Sequence, residues 1–207
     1  SVILFLTINQ LPPMAVKSII HYLYEAYHLK NFKHCGTKLV HVPNPDSLAE
    51  HVLLATQIAY FLADIEDADR AKVVEMILFH DNAEVRIGDV NKLQASYLTN
   101  KKVAELEAFS DQTEDLPTEA REQMRSNFQE MEESETLEAK VVKDADLLEQ
   151  VFQIKIFQMQ GEYDGLDMWL KNVEKNLKTK SAQKIYKEAM KTSPNQWIKE
   201  VRKKKGI

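Results

Sequence analysis

The stretch TLEAKVVKDADLLEQVFQIKIFQMQ, Thr136–Gln160, runs without a glycine or proline. Its apolar residues Leu137, Val141, Leu148, Val151, Phe152 and Ile156 fall at multiples of three and four, the spacing of one face of a long helix. Gly161 and Gly165 end it. The same period extends in both directions. Upstream, Pro117 opens a helix towards Glu133, preceded by an acidic irregular stretch to Leu116 and a shorter helix over Thr99–Phe109. Ala71–Glu84 carries Val73, Val74, Ile77 and Leu78 on one face, with Asp67 or Asp69 as its cap. Another helix runs through Val52, Ala55, Ile58, Ala59 and Leu62. It starts either at Asn44, with Pro45 in the first position, or at Ser47, with Glu50 completing a capping box. Met14–Lys30 places Val16, Ile19, Ile20, Leu23 and Tyr27 on one face, and Asn31–Asn44, with Gly36 and Pro43, reads as a loop. Two or three closing helices lead to Trp197 and the basic Arg202–Lys205. Alternating strand patterns are almost missing and no repeat occurs. A single all-α domain over 1–207 is therefore expected.

The composition agrees: 207 residues, 44% hydrophobic and 29% charged, with only five glycines and six prolines as punctuation. A net charge of −5 argues against a general nucleic-acid binder, whose surface is usually basic, yet leaves room for a small anionic ligand in a local pocket. Cys35 stands alone, so no internal disulfide forms, and a reducing, cytoplasmic setting is expected. The apolar run Val2–Leu6, with Ile8, is far shorter than the ~20 residues that span a bilayer and lacks the basic start of a secretory signal. A packed terminal segment or an interface element is expected there, and no membrane partner.

Chemistry concentrates where an apolar helical run ends: Ile77-Leu78-Phe79-His80-Asp81-Asn82-Ala83-Glu84-Val85-Arg86-Ile87-Gly88-Asp89. His80 and Asp81 could grip one ion from neighbouring edges of a helix, Glu84 lies one turn along, and Gly88 lets Asp89 fold back. Two adjacent side chains rarely complete a coordination sphere, so distant donors are needed. His51, near the start of its helix, and Asp146, on an otherwise apolar helix where an unpartnered carboxylate is costly, are the candidates. Two imidazoles and two carboxylates suit Mn, Fe, Co, Ni or Zn, or Mg where waters fill the rest.

The order His51, His80-Asp81, Asp146 resembles the HD-domain metal-dependent phosphohydrolases, in particular the branch that includes 5′-deoxynucleotidases acting on nucleoside monophosphates. Asn44-Pro45-Asp46-Ser47-Leu48-Ala49-Glu50-His51, the His-Asp-x-x-Glu-x-x-x-Gly-Asp pattern at 80–89, and Lys143-Asp144-Ala145-Asp146-Leu147 carry the resemblance, which covers roughly residues 29–165 with core motifs in 44–150. It implies an HD-like helical bundle, likeness to a homodimer-forming group, and one divalent metal held by His51, His80, Asp81 and Asp146. Glu84 would act on the attacking water or the leaving oxygen, and Asp89 would orient that water or contact the sugar. The implied substrate is a small phosphorylated molecule, a 5′-nucleoside monophosphate first. Another phosphate ester, a nucleotide pyrophosphate, or a metal-binding regulatory module without turnover are the rivals.

The resemblance breaks in one place. Where relatives often carry an Arg-Thr-Gly-Trp-like segment, this chain reads His34-Cys35-Gly36-Thr37. Imidazole cannot supply the permanent bidentate grip of a guanidinium on phosphate. His34, Lys33 and Lys38 are the candidate substrate contacts. Asp144, two positions from Asp146, is expected on the exposed side of its helix. Trp169 and Trp197 are expected in core or interface, and His21, His28 and His41 in surface or packing roles.

Overall fold

Ser47 starts the helix that organises the molecule. Its hydroxyl accepts from the Glu50 N–H at 3.3 Å while the Glu50 carboxylate accepts from the Ser47 N–H at 2.6 Å, so the capping box, rather than Asn44, sets the helix start. The computed structural model describes residues 12–161 and 164–207; the apolar run at Val2–Leu6 lies outside them. In chain order the helices are α1 (Pro13–Ala26), α2 (Cys35–Leu39), α3 (Leu48–Glu66), α4 (Arg70–Phe79), α5 (Glu84–Ile87), α6 (Lys92–Ala95), α7 (Lys101–Thr113), α8 (Thr118–Glu133), α9 (Leu137–Gln160), α10 (Leu166–Asn176), α11 (Lys180–Lys191) and α12 (Gln196–Lys205), with a 3₁₀ turn at Tyr27–Lys30. No strand occurs among the described residues, so the fold is all-α.

α3 lies against α9 and α4, α8 packs on α4 and α9, and α10 and α11 close over the far side of α9. α9 is thus the central rod. Val141, Ala145, Leu148, Val151 and Ile154 are fully buried along it, and each of the four larger side chains, all but Ala145, contributes about 1.5–3 kcal/mol on burial. Leu137, Phe152 and Ile156, expected on the inner face, remain partly exposed. The reason is enclosure: a helix ringed by neighbours has no single inner stripe. α3 is long and apolar enough to cross a membrane, but Ala55, Ala59, Leu62 and Ala63 on its inner face form the bundle core.

One alternative is decided and several expectations change. Asp69, not Asp67, caps α4 by accepting from the Lys72 N–H. α4 ends at Phe79 instead of Glu84, because the His80 ring folds back to donate to the Ile77 carbonyl at 2.7 Å and the chain continues in turns. α7 runs on to Thr113 through the acidic stretch, since Thr113 is buried and the Arg125 guanidinium on α8 donates to its hydroxyl at 2.8 Å. Within Asn31–Asn44 the chain forms α2. The predicted apolar face of α1 stays open: Val16 is 43% and Leu23 58% exposed, and only Ile19 and Tyr22 pack against the core. α12 contains no buried residue, and Trp197 is 64% exposed on it.

Candidate metal centre

The break at His80 builds the centre. Because a carbonyl can only accept, the bond to Ile77 fixes the His80 proton on Nδ1 and leaves the Nε2 lone pair facing inward. His51, one turn into α3, is fixed in the same way. Its Nδ1 lies 2.7 Å from the Glu149 carboxylate of α9, so Nδ1 carries the proton and Nε2 faces inward. The two Nε2 atoms are 3.3 Å apart. Asp81 stands 3.1 Å from His80 Nε2 and 3.7 Å from His51 Nε2, and Asp146 of α9 stands 3.4 Å from His51 Nε2.

These separations suit a shared cation. Ligand atoms placed about 2.0–2.2 Å from one ion lie roughly 3.0–3.5 Å from one another. The chemistry of the set agrees, since two imidazole lone pairs and two carboxylates with no proton donor among them would repel. The field shows the same need for positive charge. Burial acts to lower the His51 pKa, but the carboxylates of Asp146, Glu149 and Asp81 outweigh it and raise it well above the usual histidine value. Burial likewise pushes Asp146 up, and contact with His51 more than reverses that, holding it below the usual aspartate range. His51, His80 and Asp81, whose ligand atoms lie within 4.8 Å of one another, therefore fit one divalent ion, and Asp146 stands beside them against His51 as a further candidate.

Around this floor stand the other predicted residues. Burial, then the neighbouring charges of Asp81 and Asp89, push the Glu84 carboxyl up to about 10. Asp89, past the left-handed Gly88 (φ 82°), folds back so that its carboxylate accepts from the Cys35 N–H at 2.6 Å. Burial raises the Asp89 pKa, while His34 and the Cys35 N–H draw it below the ordinary aspartate value.

His34 reaches the centre because the backbone around Lys33 pairs with Ser47, and the His34 N–H donates to the Asp46 carbonyl at 3.1 Å. Its ring then meets His51 edge-on with centroids 4.9 Å apart, and its Nδ1 lies 3.5 Å from Asp89. Lys33 and Lys38 are not drawn in. The Lys33 ammonium turns to Glu50 at 3.4 Å, and Lys38 is exposed on α2.

Two carboxylates of α9 differ from the sequence reading. Asp144 is fully buried, not exposed: it accepts from the backbone N–H groups of Lys178 and Thr179, each at 2.7 Å, and so fixes the start of α11. α10 and α11 cover the side of α9 that a two-faced helix would give to solvent. Glu149, the positioning partner of His51, was not singled out. The available signal was its place three residues after Asp146, on the same helix face.

Known proteins resemble this chain in sequence and fold. The chain is 26% identical over 151 residues to the human 5′-deoxynucleotidase HDDC2, an alignment covering 73% of this chain and 71% of that protein. It is 27% identical over 153 residues to the 5′-deoxynucleotidase hdd1 of Schizosaccharomyces pombe, covering 72% and 75%. A conserved hypothetical protein from Pyrococcus furiosus superposes with a TM-score of 0.69 at 27% identity, over 84% of this chain and 99% of that one. The family profile described as HD domain matches residues 26–190, and the chain belongs to the HD-domain family.

Proposed function

We propose that this chain is a metal-dependent phosphomonoesterase that removes the 5′-phosphate from deoxynucleoside monophosphates. The observation that carries the reading is the pair of inward-facing imidazole lone pairs of His51 and His80, 3.3 Å apart and flanked by Asp81 and Asp146. The deoxynucleotidase names of its relatives support the substrate class. The N/O donor set suits Mn, Co, Ni, Fe or Zn, and Mg with added waters. A bound divalent ion supplies charge neutralisation for phosphoryl oxygens and a lowered pKa for coordinated water, about 7 in the strongest zinc sites.

The chain's own residues do the rest. His51 and His80 arrive with fixed tautomers, so no reorientation is needed when the ion binds. Glu84, whose carboxyl burial and the neighbouring carboxylates keep protonated, would pass that proton to the ester oxygen that leaves with the nucleoside. Asp89, acceptor-only and anchored by Cys35, orients a donor from the substrate side, a water or a sugar hydroxyl.

Turnover of a panel of deoxynucleoside and ribonucleoside monophosphates, with Mn, Co, Mg and Ni in turn, tests the proposal. Phosphate release from deoxynucleoside monophosphates should require added metal and fall to background in Asp81→Ala. Stoichiometric metal binding without hydrolysis of any monophosphate would overturn it and leave the regulatory-module reading.

A further inference from the structure

Around the centre, cations are paired with carboxylates. Lys33 pairs with Glu50 at 3.4 Å, Arg86 with Glu25 at 2.6 Å, Lys143 with Glu132 at 3.7 Å, and Lys101 with Glu105. Lys92 differs. Its ammonium donates to the neutral amide oxygen of Asn172 at 2.9 Å, and it makes no ion pair among the described residues. It stands on the rim of the centre by geometry: it lies three residues after Asp89, whose carboxylate holds the Cys35 N–H and lies 3.5 Å from His34 Nδ1, and its side chain is exposed.

The elements that hold Lys92 close on one rim. Three residues before Lys92, Asp89 binds the Cys35 N–H of α2. Asn91 caps α6 by accepting from the Gln94 N–H, and its amide donates to the Cys35 sulfur at 3.2 Å. On α10, Trp169 lies one turn before Asn172 and packs over Gly36 so closely that a Cβ there would stand 3.1 Å from the ring. That ring seats α10 on α2, which fixes where Asn172 can hold the ammonium. Three elements thus hold an unneutralised charge on the rim of a site whose own histidine, His34, has no permanent one.

We infer that Lys92, positioned by Asn172, is the cation that grips the phosphoryl oxygens of the substrate. This rests on the phosphomonoesterase reading above and names the residue that recognises its anionic group. An ammonium has three donors, and one is taken by Asn172, so two are left for phosphate oxygens. Charge-assisted bonds of this kind are the strong ones.

Calorimetric titration of inorganic phosphate into the manganese-loaded chain tests the inference. Lys92→Met should weaken phosphate binding about tenfold or more, as expected for a lost hydrogen bond to a charged group. Lys92→Arg should stay within about threefold, because the charge is kept. Asn172→Asp should reproduce the Lys92→Met loss by setting a carboxylate against the ammonium, whereas a purely structural asparagine would leave affinity unchanged. Lys187→Met, exposed on α11, is the control and should match wild type. The inference is overturned if wild type binds no phosphate, if Lys92→Met binds it as tightly as wild type, or if Asn172→Asp does not weaken it. Lys92-dependent phosphate binding without hydrolysis of any monophosphate would keep this inference and remove the substrate reading. Hydrolysis with unchanged KM in Lys92→Met would do the reverse.

Discussion

Glu149 does for His51 what the Ile77 carbonyl does for His80: each takes the Nδ1 proton and leaves Nε2 facing inward, where it would meet a cation. The two supports differ in charge. A carboxylate also raises the basicity of the imidazole it holds, and such partners typically govern metal affinity by 10–100-fold. Glu149→Ala is therefore expected to weaken metal binding by roughly that factor, because it leaves a buried N–H without an acceptor. Glu149→Gln, which keeps an acceptor and loses the charge, should fall between. Chelator competition gives the affinities, and equal values for Glu149→Ala and wild type would refute the role. The sequence made His51, His80, Asp81 and Asp146 legible as candidates through residue type and order. It hid Glu149 and misplaced Asp144 because burial of a helical carboxylate depends on what packs over it. α9 is ringed by α3, α4, α8, α10 and α11, which no periodicity within α9 reports.

At the level of elements, α1 is held mainly by polar bonds. It has no buried residue. The Asn82 amide donates to the Tyr22 hydroxyl at 2.6 Å, Arg86 donates to Glu25 through Nε at 2.6 Å and Nη2 at 3.0 Å, and the Gln112 amide donates to Glu25 at 3.0 Å. These bonds, Arg86 foremost, hold the Glu25 pKa below its ordinary 4.5. A group with a depressed folded pKa stabilises above the unfolded value and loses that contribution as pH falls through the folded one. Attachment of α1 is thus expected to be full above about pH 4.5 and to weaken in more acid solution. Solvent screening limits the effect to the ~1 kcal/mol range of partly exposed pairs. The protection factors of α1 amides, with the intrinsic pH dependence of exchange divided out, should fall below pH 4.5 in wild type and already be low at neutral pH in Glu25→Gln. Acid-insensitive protection factors in wild type would exclude this anchoring. Periodicity made the existence of α1 legible, but not the exposure of its face. The amphipathic pattern says that a face is apolar and nothing about which neighbour covers it. The early end of α4 is not legible in the spacing for a related reason: His80 prefers the Ile77 carbonyl to continued helix, a competition between side chain and ladder that periodicity does not encode.

For the molecule as a whole, the proposed ligands would come from the three helices that form its centre: His51 from α3, His80 and Asp81 from just past the end of α4, and Asp146 from α9. The all-α architecture was legible because glycine and proline are scarce and helical spacing runs nearly end to end. The convergence of α3, α4 and α9 on one point was legible only through resemblance, since no local pattern relates residues so distant in sequence. A cation bound there joins the core helices and should stabilise the fold through mass action. At a free metal concentration 100 times Kd the gain is about 2.7 kcal/mol. For a chain of this size that corresponds to roughly 5–10 °C in unfolding temperature, at 2–4 °C per kcal/mol. Calorimetric scans should show that rise with manganese and its reversal by a chelator. Asp146→Ala removes one acceptor from a cluster crowded with carboxylates, so its metal-free unfolding temperature should remain near that of the metal-free wild type while the metal-dependent rise is lost. An equal rise in Asp146→Ala and wild type would mean that the stabilising ion binds elsewhere, and the assignment of Asp146 as a ligand would fall.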